Sequence, residues 1–255
     1  FVRLFLGQVN VKVYREDEKL KLKQEYQKFR SRTDLIWVFM SLIQLVVLPD
    51  VRALEIIFQI WLLYYYVSIS LRENILRVNG SNIRPWWIIH HYLSTVVSLV
   101  TLTWPDGPVF RTFIKQNLYM TLAQGVVQIL QTRYQQGRLY KLVAMGKATR
   151  MDVTGTRTHR YNTRTDPPEP GGEHSGFGLE QFTPSLLFLF PFLLSLQCFQ
   201  LYHGYTLLLR VVQYGVAEWQ VPVLGLVFLT VGVGNIVVTL RPYHQKGWSE
   251  HSKRD

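Results

Sequence analysis

The sequence predicts an all-α membrane protein of six transmembrane helices, entered by a cytosolic juxtamembrane helix, and three observations carry that prediction. Six runs of largely apolar residues recur along the 255-residue chain, each near the roughly 20 residues that cross a bilayer as a helix. Only 18% of residues are charged, against roughly 25% in ordinary soluble domains, while apolar residues reach 48% and aromatics 14%. The remaining charge, +11 in net, is segregated into blocks that alternate with the apolar runs.

Residues 1–33 form the first block. Within it, 14–32 (YREDEKLKLKQEYQKFRSR) reads as a charged helix whose solvated face meets lipid headgroups. No cleavable signal peptide is evident, and the Phe at position 1 predicts a piece of a longer protein. The predicted spans are 34–51, 53–72, 85–104, 109–131, 184–206 and 219–241, which place a six-helix domain over 34–255. The first is short but uncharged between Asp34 and Asp50. The fourth is amphipathic, carrying Arg111, Lys115 and several glutamines; the fifth contains Pro191, tolerated in a span as a kink. Between the fourth and fifth, 152–182 is rich in Pro, Gly, Thr and charge and is expected to be a disordered cytosolic loop.

Basic residues orient the helices. With the N-terminus inside, nine Lys/Arg precede residue 34, three fall in 72–84, eight in 132–183 and four after 240, so 24 of 28 lie on one side. That follows the positive-inside rule and places both ends in the cytosol. Asn79-Gly80-Ser81 matches a glycosylation sequon, but this topology keeps it cytosolic.

Several chemistries are absent from the sequence. One cysteine, Cys198, excludes an internal disulfide framework, and neither a zinc spacing nor a metal site is expected. No phosphate loop, Gly-x-Ser-x-Gly elbow or catalytic carboxylate pair is found. The acids within spans, Glu55 and Glu73, sit near helix ends, which argues against a proton relay or cation ring. No nucleic-acid partner is expected.

The densest polar cluster opens the third span: Pro85-Trp86-Trp87-Ile88-Ile89-His90-His91-Tyr92. Pro suits a first helical position, and paired Trp suits the membrane interface. His90 and His91 follow Trp87 by three and four residues, so a helix puts all three on one broad face, with one imidazole expected in a cavity and the other between helices. Ionisable groups inside a span are functional candidates, although neutral His bonded to neighbouring helices would look the same. Gln124, Gln128 and Gln131 form a polar stripe on helix four, and Gln197, Gln200, His203 and Asn235 add polar groups on the last two helices. Singly these suit helix–helix hydrogen bonds; together they suggest a polar cavity open to the cytosol. A basic mouth with aromatic platforms suits a ligand carrying phosphates and a flat ring, or an anionic lipid headgroup.

The runs LGQVNV, RENILRVNGSNIRPWWIIHHYLST, LTWPDG, LQTRYQQGRLY and EWQV resemble the transmembrane protein 120 family, also called TACAN, over nearly all the chain except 152–182. The resemblance implies a homodimer of six-helix barrels similar to the very-long-chain fatty-acid elongases, preceded by a coiled coil upstream of Phe1. It implies coenzyme A or acyl-CoA in the cytosol-facing cavity, a role in lipid metabolism and fat-cell differentiation, and residence in the endoplasmic reticulum and inner nuclear membrane, with the plasma membrane as a further location. A mechanically gated ion channel and a nuclear-envelope scaffold without catalysis are the alternative roles. Carried over by position, Trp87 would stack on adenine and Lys23 and Lys246 would face phosphates. Ser81, Asn82, Gln131, Tyr134, Gln135 and Gln197 would complete the cofactor site, with His90 and His91 as catalytic candidates. The chain departs from the family pattern at Asn82, where Arg is usual, and at Gln197, where His is usual. It departs from the elongase His-x-x-His-His box at Trp87, which replaces the first imidazole with a ring suited to stacking, and binding without condensation is therefore expected.

Overall fold

The computed structural model describes residues 5–6, 11–47, 51–81, 83–144, 184–214 and 218–251. Among them the regular elements are helices: α1 Glu16–Leu42, α2 Arg52–Val78, α3 Pro85–Thr103, α4 Pro108–Ala144, α5 Pro184–Tyr214 and α6 Gln220–His251. Proline opens α3, α4 and α5, where its missing N–H costs no hydrogen bond. The loop expected over 152–182 lies outside the described residues.

The segment expected to be juxtamembrane and the stretch expected to be the first span form one helix. α1 runs through residues 33 and 34 without a break and ends in a π-helical turn, Ile43–Val47. No Gly or Pro interrupts residues 16–42, and the Thr33 hydroxyl donates back to the Phe29 and Arg30 carbonyls at 2.8 and 3.0 Å instead of capping a new helix.

The helices close into a ring. α1 packs against α2 and α4, α2 against α3, α3 against α6, α6 against α5, and α5 against α4. Apolar side chains such as Phe39, Val126, Leu130 and Leu226 point outward, whereas Gln27, Asp34, Gln59, Asn117, Thr121 and Asn235 are buried. This polar-in, apolar-out arrangement explains why α4 reads as amphipathic. Among the described residues, two helical stretches, Arg52–Val78 and Gln220–Arg241, are long and apolar enough to cross a membrane as they stand. In α1 and α4, inward-facing polar residues dilute the apolar signal.

Two aromatic-rich clusters hold the ring together. One joins α1 to α2 and α3 through Trp37, Tyr65, Tyr66 and Ile88; Trp37 is almost fully buried and its indole N–H donates to the Thr121 carbonyl at 2.9 Å. The other packs Trp104, Phe110, Phe113, Leu224 and Phe228 at the opposite end of the bundle. There the Trp-Pro-Asp-Gly segment turns α3 into α4: Trp104 donates its indole N–H to Glu218, Arg52 caps the Trp104 carbonyl at 2.8 Å, and Arg111 reaches both Asp106 and Glu55. Burying the aromatic groups on this side closes it.

Candidate functional site

A cavity of about 320 Å³ lies inside the ring, and all six helices line it. α1 ends its charged half there with Tyr26 and Arg30, α2 brings Ile69 and Glu73 near its C-terminus, and α3 brings Trp87, His90 and His91 from its first two turns. α4 contributes Gln124, Gln128, Gln131, Tyr134 and Gln135, α5 contributes Gln197 and Gln200, and α6 contributes Asn235. Each helix thus meets the cavity at the end adjoining the basic segments of the sequence.

Of the residues singled out from sequence, Trp87, His90, His91, Gln131, Tyr134, Gln135 and Gln197 line this one cavity. Both histidines do so, whereas sequence spacing assigned only one of them. Residues at i and i+1 diverge by about 100° on a helix, but a cavity walled by six helices subtends enough of α3 to take in both. The rings of His90 and His91 stand 5.1 Å apart at 63°, and the Trp87 indole meets His90 edge-on at 6.1 Å. Lys23 and Ser81 are buried outside the lining, Lys23 on α1 and Ser81 in the turn after α2. Asn82 lies outside the described residues, as does the side chain of Lys246, whose backbone belongs to α6.

Three lining groups were not assigned to the site from sequence: Tyr26 and Arg30 were not singled out, and Glu73 was set aside as an acid near a helix end. Glu73 accepts a hydrogen bond from the Tyr26 hydroxyl at 2.9 Å and approaches His91 Nε2 at 3.3 Å. Burial, and then the Glu73 carboxylate, hold the Tyr26 phenol well above its ordinary pKa, so it stays a donor. Arg30 donates to Gln135 Oε1 and links α1 to α4. The signal for Tyr26 and Arg30 was a buried polar stripe at helical spacing (Lys23, Tyr26, Gln27, Arg30, Asp34), which a search for apolar periodicity passes over.

Donors and acceptors around the cavity are unevenly satisfied. Gln197 donates to Thr239 at 2.9 Å, and Gln128 donates to Tyr65. Yet Glu73 Oε2, Gln197 Oε1 and the Nδ1 atoms of His90 and His91 are buried without a hydrogen-bond partner. Arg30 Nε is buried without a partner as well; unpaired buried polar atoms are costly, and five around one cavity mark a place where a polar ligand or water is accommodated. Beside the glutamines of α5 the lining is also apolar: Leu189, Leu193 and Leu196 repeat at i, i+4 and i+7 along that helix, the same spacing as the glutamine stripe of neighbouring α4. The chemistry of the site is therefore amphiphilic.

Three proteins place the chain among known sequences. A family model described as TMEM120A/B matches residues 1–250. A transmembrane protein 120 homolog of Dictyostelium discoideum is 50% identical over 255 residues, covering 99% of this chain and 64% of that protein. Transmembrane protein 120B of Danio rerio is 37% identical over 96% of this chain and 67% of its own length; the human 120B protein is 35% identical over 96% and 66%. The chain spans about two thirds of the length of these relatives.

Proposed function

Since this chain belongs to the TMEM120A/B family of membrane proteins, we propose that it binds coenzyme A or an acyl-CoA in the cavity between its helices, entering from the cytosolic side, as part of lipid metabolism. The single observation that carries this reading is the convergence of Trp87, the two imidazoles and the glutamine stripe on one cavity with a leucine wall. Trp87 is a half-buried ring at the start of α3, placed to stack on a purine, and the leucines of α5 suit a hydrocarbon chain. The volume is at the small end of ligand pockets, so a ligand as long as coenzyme A extends through the mouth toward the basic segments.

In this reading all six helices span the bilayer, both termini are cytosolic, and the protein resides in the endoplasmic reticulum and inner nuclear membrane as a homodimer. The buried aromatic cluster of Trp104, Phe110, Phe113 and Phe228 closes the far end of the ring, which favours a binding site over a conducting path. Mass spectrometry of the small molecules that co-purify with the full-length protein tests the proposal, with coenzyme A or acyl-CoA as the expected species. Protein that carries no such molecule and gives no heat on titration with coenzyme A would sink it.

A further inference from the structure

The cavity holds more chemistry than binding requires, and Glu73 is its centre. A buried acid on the cavity wall near the C-terminal end of α2, bonded by Tyr26 and 3.3 Å from His91 Nε2, does nothing for an anionic ligand and opposes its charge. What it does is orient an imidazole. A carboxylate on one ring nitrogen holds the proton there and leaves the other nitrogen as a lone-pair acceptor. With Nε2 of His91 turned to Glu73, Nδ1 is the basic nitrogen, and it is buried without a partner. The His90 ring stands beside it at 5.1 Å, its own Nδ1 also unpartnered.

Building on the coenzyme A reading above, we propose that Tyr26, Glu73, His91 and His90 make the site a thioesterase for long-chain acyl-CoA. The leucine stripe of α5 receives the acyl chain and sets the thioester between it and the imidazoles. His91 Nδ1 takes a proton from a water as the water oxygen bonds to the thioester carbonyl carbon, and the carbonyl π pair moves onto its oxygen. His90, as the Nδ1–H tautomer, donates to that oxyanion. The intermediate then collapses: a lone pair of the oxyanion re-forms the C=O bond, the C–S bond breaks with its electron pair going to sulfur, and the His91 imidazolium returns the proton to sulfur. One water is consumed, and a fatty acid and the coenzyme A thiol are released; nothing is oxidised or reduced. His91 and His90 are the catalytic residues, whereas Glu73 and Tyr26 are positioning residues that act through His91.

The experiment uses the full-length protein in lipid nanodiscs with palmitoyl-CoA as substrate, reading free thiol, while calorimetry measures coenzyme A binding on the same sample. Thiol release above the protein-free blank is expected. His91→Ala should slow it on the order of 10²-fold, and added imidazole should restore part of the rate, which a purely structural histidine would not allow. Glu73→Gln should lower kcat by at least about tenfold with KM held, since the carboxylate orients the base and does not touch substrate. Should His91→Ala fail to fold, Tyr26→Phe keeps the ring and removes only the hydroxyl bonded to Glu73, and a fall in kcat is again expected. Coenzyme A binding without thiol release overturns the thioesterase alone, as does release that is unchanged in the His91 or Tyr26 variant. Absence of coenzyme A binding overturns the binding reading and this inference with it.

Discussion

Trp86 and Trp87 are neighbours in sequence with different work. Trp86 donates its indole N–H to Asn235 at 2.9 Å and lies against Gly234 on α6, where a Cβ would come within 1.9 Å of the ring. Gly234→Ala should therefore force the ring aside and destabilise the protein by about 1–3 kcal/mol, read as a lower thermal midpoint in detergent. Gly137→Ala is the contrast: apart from its chain neighbours and its own helix backbone, nothing lies within 4 Å of where the new Cβ would stand on α4, so better helix propensity should raise stability by about 0.5–1 kcal/mol. Trp87, half-buried, faces the cavity. Trp87→Ala should weaken coenzyme A binding by about 1–3 kcal/mol, the scale of one base–aromatic stack, with the fold retained. Calorimetric titration checks this, and equal affinities would reduce Trp87 to an interface anchor.

At the scale of elements, the two turns at opposite ends of the bundle hold helices by side-chain hydrogen bonds. Asn79, just past α2, accepts from the Val13 N–H at 2.8 Å and donates to the Val11 carbonyl at 2.9 Å, tying the chain ahead of α1 to the end of α2. That amide is buried and engaged, and on the topology read from the basic residues the sequon faces the cytosol, away from the glycosylating enzymes of the lumen. Protein made in mammalian cells should show no mass shift on glycosidase treatment. At the other end Asp106 accepts hydrogen bonds from Arg111, and these hold its carboxyl below the usual carboxylate range. A depressed carboxylate stabilises the fold above its unfolded pKa of about 3.9, and that contribution disappears as pH falls through the lower folded value. The gap in thermal midpoint between wild type and Asp106→Asn should therefore be widest near neutrality and shrink in acid. A gap that is constant with pH would mean the Arg111 contact contributes nothing.

For the whole molecule, the ring of helices gives every helix one face toward the cavity and one toward the outside, and the cavity sits at the end where the basic segments meet. If that end is cytosolic, tags fused to both ends of the full-length protein are digested by protease added to sealed microsomes, whereas a tag inserted at Asp106 is protected. Protection of either terminal tag would overturn the orientation derived from 24 of 28 basic residues.

Composition and spacing alone determined that the chain is helical and membrane-embedded, because apolar runs of bilayer length and one-sided basic blocks are local properties that survive without knowing any contact. The Trp87, His90, His91 cluster and the Gln124, Gln128, Gln131 stripe were legible for the same reason: fixed helical periodicity puts them on common faces. The merging of the juxtamembrane segment with the first span was hidden, because charge changes at Asp34 while backbone propensity does not. The tertiary structure decided that Tyr26, Arg30 and Glu73 join the site. They come from helices separated by up to 47 positions, and a polar side chain reads as solvent-facing until a neighbouring helix is known to cover it. It also decided that both imidazoles face one cavity, since how much of a helix a cavity takes in depends on the helices around it and not on the helix itself.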